Sequence, residues 1–316
     1  MRAHQTDFSR GNVYRNILEV AIPLTLAQLL NLLYNVVDRI YIGRIPEVGT
    51  LALTGVGLCF PVISLVTAFT YLYGNGGSPL CAMERGRGNK EEAEKIMGNS
   101  FILLVYTGLI LMALGLLFYK PLLYLFGAGD ATFPYAGSYM QIYLLGTVFV
   151  MISVGMNPFI NSQGFGNMGM LTVLIGAVLN IVLDPVFIFV FHMGVRGAAL
   201  ATILSQFCSA LWVLRFLTGK RAVLKLKKEA FRLKWKRVKS ILGLGVSGFI
   251  GSRPSYLFFR ILLYGASVYR AECVCSTWKV KAGNLLFSSS KSDHCCAPHS
   301  CPASCGRTWS RRGVLG

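Results

Sequence analysis

Two polar residues one helical turn apart, Asn180 and Asp184, interrupt the otherwise apolar stretch 171–191. As a helix, this stretch would cross the roughly 30 Å of a bilayer's hydrocarbon core. A carboxylate inside such a span is costly, so it usually faces a cavity or a partner. Pro185 has no N–H group and leaves the carbonyl of Ile181 without its helical partner. Amide, carboxylate and freed carbonyl together predict a site for a proton or small cation. The alternative is a structural acid bonded to a neighbouring helix.

The composition is that of a membrane protein. The chain is 54% hydrophobic and 14% charged, whereas soluble domains carry about 25% charged residues. A net charge of +18 would suit nucleic acid, but the placement of the basic residues along the chain argues against that partner. No cleavable signal peptide is expected, because the polar residues 1–16 precede an apolar run too long for one.

Long apolar segments predict an all-α polytopic membrane protein. Six of them run approximately over 17–42, 51–73, 98–119, 135–160, 171–191 and 198–217. A seventh starts near Val238 and loses its pattern at 251–255. Asn89 with Glu92 forms a capping-box pattern, which predicts a short cytoplasmic helix leading into the third segment. The glycine-dense stretch 73–79 is expected to end the second segment.

Basic residues are concentrated in alternate loops, and this sets the expected orientation. Ten of them lie between Lys220 and Lys239. The opposite loops hold only Arg44, Lys120 and Arg196. Because positively charged loops stay cytoplasmic, the N-terminus is predicted to be cytoplasmic, in a plasma membrane of bacterial type. The basic loop could touch anionic lipid, or it could serve only to set the topology.

This topology places three polar residues at a similar depth in the outer half of the membrane. Asp38 lies a little over one turn from the outer end of the first span, and Asp184 about two turns from that of the fifth. Thr202 lies about one turn inside the sixth span. Two carboxylates at one level can share a proton or bracket a cation. The alternative for Asp38 is that it extends with Arg39 to the membrane interface.

Several motifs in a fixed order then become informative together. They are AIPLTLAQLLNLLYNVVDRIYIGR (21–44), LALTGVGLCFPV (51–62), GNGGSPL and GRGNKEEAEK (74–95), NPFINSQGFGNMGML (157–171), LNIVLDPVFIF (179–189) and MGVRGAALATILSQ (193–206). In this ordered set, which extends over about 12–250, the sequence resembles the multidrug and toxic compound extrusion (MATE) family of cation-coupled exporters.

The resemblance implies twelve helices in two six-helix lobes. Under it, 1–217 is the N-terminal lobe, 218–240 a basic cytoplasmic loop and 241–250 the start of a truncated second lobe. It also implies an antiporter that exchanges H+ or Na+ for organic cations or drugs across the plasma membrane. No enzymatic activity and no cofactor other than the coupling ion are expected.

The resemblance also assigns roles to individual residues. The cation site of the family maps onto Asp38, Asn180, Asp184 and Thr202. Residues expected to line the substrate path are Gln28, Tyr34 and Asn157. No metal site is expected in the lobe itself.

The tail, 251–316, departs from the family. It holds six of the nine cysteines and no apolar run of spanning length. The expectation is a change of reading frame near Gly251, and hence an incomplete copy that does not transport unless two copies pair as a homodimer. The alternative is a metal-binding Cys/His tail on a non-transporting membrane module, although the paired spacing of zinc sites is missing. Within transport, a flippase of lipid-linked oligosaccharides from the same superfamily is the second hypothesis.

Overall fold

Eight α-helices follow one another along residues 13–251, the part of the chain that the computed structural model describes. No strand occurs in this part. The helices are α1 (Val13–Gly43), α2 (Gly49–Gly86), α3 (Lys90–Leu125), α4 (Phe133–Leu145), α5 (Thr147–Ser162), α6 (Gly166–Pro185), α7 (Val195–Thr218) and α8 (Trp235–Gly251). The predictions for the tail, including its cysteines, the change of frame and the metal-binding alternative, fall outside the described residues.

Five of these helices are long and apolar enough to cross a membrane, and the bent pair of α4 and α5 makes a sixth if it counts as one span. The predicted all-α polytopic fold is confirmed. The fourth apolar segment, predicted as 135–160, is two helices that meet at Gly146 with an angle of 58°. A Cβ atom at Gly146 would lie 2.4 Å from Cγ1 of Ile203 on α7, so the glycine lets α7 pack against the bend.

The second span differs from its predicted end. Residues 73–79 were expected to end the helix, but α2 continues through them. The reason is close packing against other helices. A Cβ atom at Gly74 would lie 2.7 Å from the backbone oxygen of Gly155, and one at Gly76 would lie 2.2 Å from that of Ile241. Because these glycines have no side chain, α5 and α8 can approach the backbone of α2 closely. The packing gained in this way offsets the low helix propensity of glycine.

The beginning of α3 confirms the predicted helix start. The Asn89 side chain accepts a hydrogen bond from the backbone N–H of Glu92 at 3.3 Å. The reciprocal half of the capping box is not formed, since the Glu92 carboxylate binds Arg237 instead. The helix then runs without interruption into the third span, as the sequence indicated.

The described helices, which we call the lobe from here on, pack around two buried apolar clusters. One joins α2, α3, α5 and α7 near the basic loops and includes Met97, Met156 and Phe159. The other includes Ile42 on α1 and Ile188 beyond α6. The polar residues predicted to bind a cation lie beside this second cluster, where α1, α4, α6 and α7 meet.

Candidate functional site: a buried carboxylate cluster

The end of α6 supplies two of the predicted cation ligands, and both are buried. Asn180 Nδ2 donates to Oδ1 of Asp184 at 3.2 Å, as the spacing of four residues predicts for one helical face. The same amide lies 3.4 Å from Oγ1 of Thr202 on α7. The Thr202 hydroxyl donates in turn to the backbone oxygen of Ala198 at 3.0 Å. Three of the four predicted residues are therefore linked in one network.

Pro185 explains the local shape of this helix end. Regular α-helix stops at Pro185, and the chain continues in wider π turns over Val186–Val190. The backbone N–H of Phe191 bonds to the oxygen of Val186, five residues earlier, at 3.0 Å. Such turns form where an α-helical hydrogen bond is missing, and they are frequent at functional sites. The regular α-helical pattern therefore ends beside Asp184, while the freed carbonyl of Ile181 stays a prediction.

Asp38 completes the cluster from α1, which packs along α6. Its carboxyl group lies close enough to that of Asp184 for the two to share a hydrogen bond when one is protonated. Arg39 takes another direction, with its guanidinium carbon 5.8 Å from the ring centre of Phe60. One carboxylate oxygen of Asp38 is buried, which favours the cluster over the alternative in which both residues extend to the interface.

Sequence reasoning missed one residue of this site, Tyr139 on α4. Its ring is buried and packs parallel to that of Tyr143, with centroids 6.1 Å apart. Its hydroxyl lies in the neighbourhood of Thr202 and Asp38. The available signal was the spacing of four between two tyrosines in an apolar helix, a pattern that is also common in ordinary helix packing.

The cluster is rich in oxygen atoms whose hydrogen-bonding capacity is not used. Asp38 Oδ1, Asn180 Oδ1 and Asp184 Oδ2 are buried and have no hydrogen-bond partner among the described residues. Buried polar atoms are normally paired, so unpaired ones require an explanation. Carboxylate and amide oxygens gathered in one buried cluster are suited to hold a proton or a hard cation.

The three residues expected to line a substrate path are spread over the lobe. Tyr34 lies one turn before Asp38 and close to Tyr143. Gln28 is exposed. Asn157 donates to the backbone oxygen of Gly169 at 3.3 Å, which is at the opposite end of α6. Fifteen residues separate Gly169 from Asp184, roughly 22 Å along a helix, so Asn157 is not part of the carboxylate cluster.

Comparison with known proteins identifies the family. The family model described as MatE matches residues 23–186, just over half of the chain. The chain belongs to the MatE family. The match includes Asp38, Asn180 and Asp184. Members of this family are membrane transporters and not enzymes, as the sequence predicted.

Individual relatives agree with this assignment. Multidrug export protein MepA of Staphylococcus haemolyticus is 23% identical over 243 residues, which cover 77% of this chain and 53% of MepA. Probable multidrug resistance protein YpnP of Bacillus subtilis is 28% identical over 246 residues, which cover 76% of this chain and 53% of YpnP. The structure of a MOP superfamily transporter from Pyrococcus furiosus matches with a TM-score of 0.72 and 28% identity, over 80% of this chain and 55% of that one. The MatE chain thus spans about half the length of these relatives.

Proposed function

We propose that this MatE chain carries the coupling-ion site of an antiporter that exports organic cations or drugs in exchange for H+ or Na+. The observation that carries the proposal is the adjacency of Asp38 and Asp184 inside a membrane lobe, with Asn180 and Thr202 bound beside them. Intramembrane acids that face each other are characteristic of proton and sodium pathways.

The arrangement assigns a role to each residue. Asp184 and Asp38 supply the charge that attracts a cation. Asn180 donates to Asp184 and so holds that carboxylate in place. Thr202 and Tyr139 add hydroxyl groups from α7 and α4. When both acids are ionised, they repel each other across the contact between α1 and α6. A proton or a sodium ion removes this repulsion, so ion occupancy is coupled to the separation of the two helices.

The charge of the two carboxylates also indicates the class of exported substrate. A lobe whose interior holds two carboxylates favours cationic molecules, and Tyr34 provides an aromatic ring near them for an organic cation. The names of MepA and YpnP refer to multidrug export and resistance. Substrate and coupling ion are thereby expected to compete for the same electrostatic environment, which is the basis of exchange.

The membrane orientation also remains a proposal. The basic loops favour a cytoplasmic side for the N-terminus and for the segment between α7 and α8, in a plasma membrane. Reporter fusions after Arg87 and Lys228 should be cytoplasmic, and a fusion after Lys120 external. An external reporter after Lys228 would overturn the orientation, because ten basic residues would then have crossed the membrane.

The alternative functions have less support. The relatives reported above are named for multidrug export or resistance, which does not favour a flippase of lipid-linked oligosaccharides. The metal-binding module depends on tail cysteines outside the described residues. No group of three or more His, Cys, Asp or Glu side chains that could hold a metal occurs in residues 13–251.

The decisive experiment measures ion binding by the chain itself. Purified protein 1–316 is mixed with Na+ in weakly buffered detergent solution, and both bound 22Na+ and released protons are recorded. We expect binding or proton release that Asp184→Asn abolishes, because asparagine keeps the shape but not the titratable charge. Asp130→Asn, which removes an exposed loop acid, is the matched control. Equal signals from wild type and Asp184→Asn would reduce Asp184 to a structural role.

A further inference from the structure

The segment between α7 and α8 is fixed to the lobe by a buried amide. Asn99 on α3 is fully buried. Its Nδ2 donates to the backbone oxygens of Ala230 and Arg232, each at 3.1 Å. Its Oδ1 accepts from the backbone N–H of Lys234 at 3.1 Å. One side chain thus sets the path of five consecutive residues, which a flexible loop would not require.

Two further polar side chains hold the same segment closer to α7. Glu94 accepts a hydrogen bond from the backbone N–H of Lys225 at 3.1 Å and binds Nζ of Lys227 at 2.7 Å. Gln163 Oε1 accepts from the backbone N–H of Leu224 at 2.9 Å. Both side chains are buried. The basic segment is therefore a docked part of the lobe over most of its length.

The first turn of α8 is fixed as well. Arg237 Nη2 donates to Glu92 Oε2 at 2.8 Å, and its Nε binds the other carboxylate oxygen. Phe231 stacks on Phe101 of α3, with ring centroids 5.5 Å apart. Arg237 and Phe231 therefore point towards α3. The side chains next to them in the sequence are exposed.

Those outward side chains form what we call the basic–aromatic ridge. Its members are Arg232, Leu233, Lys234, Trp235, Lys236 and Lys239, all of them exposed. Trp235 is 77% exposed and Leu233 is 47% exposed. No acidic residue occurs between positions 232 and 239. An exposed tryptophan among basic side chains is unusual on a surface that faces water. The same arrangement is favourable in the headgroup region of a membrane.

The anchor residue also gives the depth of the ridge. Lys95 is the last charged residue before a stretch of α3, residues 100–119, that contains none. Asn99 stands at this boundary and is bonded to the backbone of Lys234. The ridge therefore lies level with the point at which α3 passes from polar to apolar sequence. In a bilayer this level corresponds to the headgroups, because the uncharged stretch must occupy the hydrocarbon core.

We propose that the basic–aromatic ridge binds anionic phospholipid headgroups of the adjacent leaflet. Arg232, Lys234 and Lys236 meet the phosphate and any further negative charge of the headgroup, and Trp235 inserts its ring beside the upper acyl chain. Several cations directly flanking a membrane helix are a recognised pattern for anionic lipids. The docking by Asn99 makes the ridge a fixed site, and the proposal is independent of the transport function.

The test is a lipid titration of purified protein 1–316, followed by native mass spectrometry. Phosphatidylglycerol is the anionic probe and phosphatidylcholine the zwitterionic one. We expect phosphatidylglycerol to bind about 10-fold or more tightly than phosphatidylcholine, with the preference lost in Lys234→Gln/Lys236→Gln. Trp235→Ala should weaken the binding of both lipids. The matched control is Lys220→Gln/Arg221→Gln, which removes the same charge from exposed positions outside the ridge.

Three outcomes would overturn the proposal. Equal binding of the two lipids would show that the ridge does not select charge. An equal loss of preference in the control variant would show a diffuse effect of net charge. Displacement of phosphatidylglycerol by glycerol phosphate at the same concentration would show that the ridge takes a free anion, without any contribution from the membrane.

Discussion

Two regions of the lobe bury an acid next to an amide, and they treat these groups in opposite ways. We call Asn99 and Glu94, which hold the segment between α7 and α8, the linker anchor. There the amide nitrogen and the amide oxygen of Asn99 both bond to backbone groups, and the Glu94 carboxylate pairs with Lys227. At the carboxylate cluster, an oxygen of Asn180 and one of Asp184 have no partner among the described residues. Complete pairing marks a structural element, whereas unused acceptors mark a place where a ligand can contribute to stability.

The difference has energetic consequences of opposite sign. A buried polar group that loses its partner costs its full desolvation penalty, so removing an anchor side chain should destabilise the lobe. Two adjacent carboxylates repel, so neutralising one of them should not destabilise it and can increase stability. The four predictions below test this contrast, from the largest expected effect to the smallest.

Asn99→Ala should have the largest effect. It removes the bonds to the backbone of residues 230–234 and leaves buried carbonyl and N–H groups unpaired. We expect the free energy of unfolding to fall by about 3 kcal/mol, measured by denaturant titration in detergent. Asn35→Ala, at an exposed asparagine that bonds only within its own helix, is the control and should change little. Equal effects of the two substitutions would remove the distinction between anchor and surface.

Gly76→Ala tests the contact through which the anchored segment continues into α8. A Cβ atom there would lie 2.2 Å from the backbone oxygen of Ile241, so α2 and α8 must separate. The expected loss of unfolding free energy is about 2 kcal/mol. Gly57 lies on the same helix with nothing within 4 Å of its Cβ position, and Gly57→Ala should be neutral or slightly stabilising. A neutral Gly76→Ala would mean that α8 does not rest on α2.

The sequence predicted features that depend on local pattern and missed features that depend on residues distant in sequence. The spans, the start of α3 and the shared face of Asn180 and Asp184 depend on hydrophobic length and helical spacing, which a single sequence displays. Topology predicted a similar depth for Asp38, Asp184 and Thr202, and the family resemblance implied that they form one site. The structure brings these residues together, while their role as cation ligands stays a prediction.

The remaining features depend on partners that are distant in sequence. The glycines at 74–77 look like a helix end because the helices α5 and α8 that pack against them cannot be seen locally. The bend at Gly146 requires Ile203 of α7. Tyr139 carries no distinctive local signal in the sequence, because Thr202, which lies near its hydroxyl, is on another helix. The docking of the basic linker was missed because its bonds join backbone groups to side chains more than 60 residues away.

Asp184→Asn should act in the direction opposite to the anchor variants. It removes the repulsion with Asp38, so in buffer without sodium the free energy of unfolding should stay equal or rise by roughly 1 kcal/mol. Adding sodium should then stabilise the wild type more than the variant, if sodium is the coupling ion. Thermal unfolding with NaCl and with choline chloride measures both effects. A loss of stability comparable to that of Asn99→Ala would contradict the contrast between the two regions.

Lys227→Gln should have the smallest effect on stability. It removes the charged partner of Glu94 and so leaves an acid in the linker anchor without a cation, as in the carboxylate cluster. The Glu94 carboxylate beside Lys227 raises the pKa of its ammonium group above the usual 10.5. Because the pKa is raised in the folded state, the ion pair contributes fully to folding stability below pH 10.5. This contribution is lost as the pH rises through the raised pKa. Lys227 is exposed, and Glu94 keeps its hydrogen bond from the backbone N–H of Lys225, so the melting temperature of Lys227→Gln should be only slightly lower than that of the wild type at neutral pH. The two melting temperatures should converge at strongly alkaline pH, whereas Lys220→Gln should match the wild type throughout. A difference that persists or grows at alkaline pH would show that Lys227 stabilises the linker by packing and not by its charge.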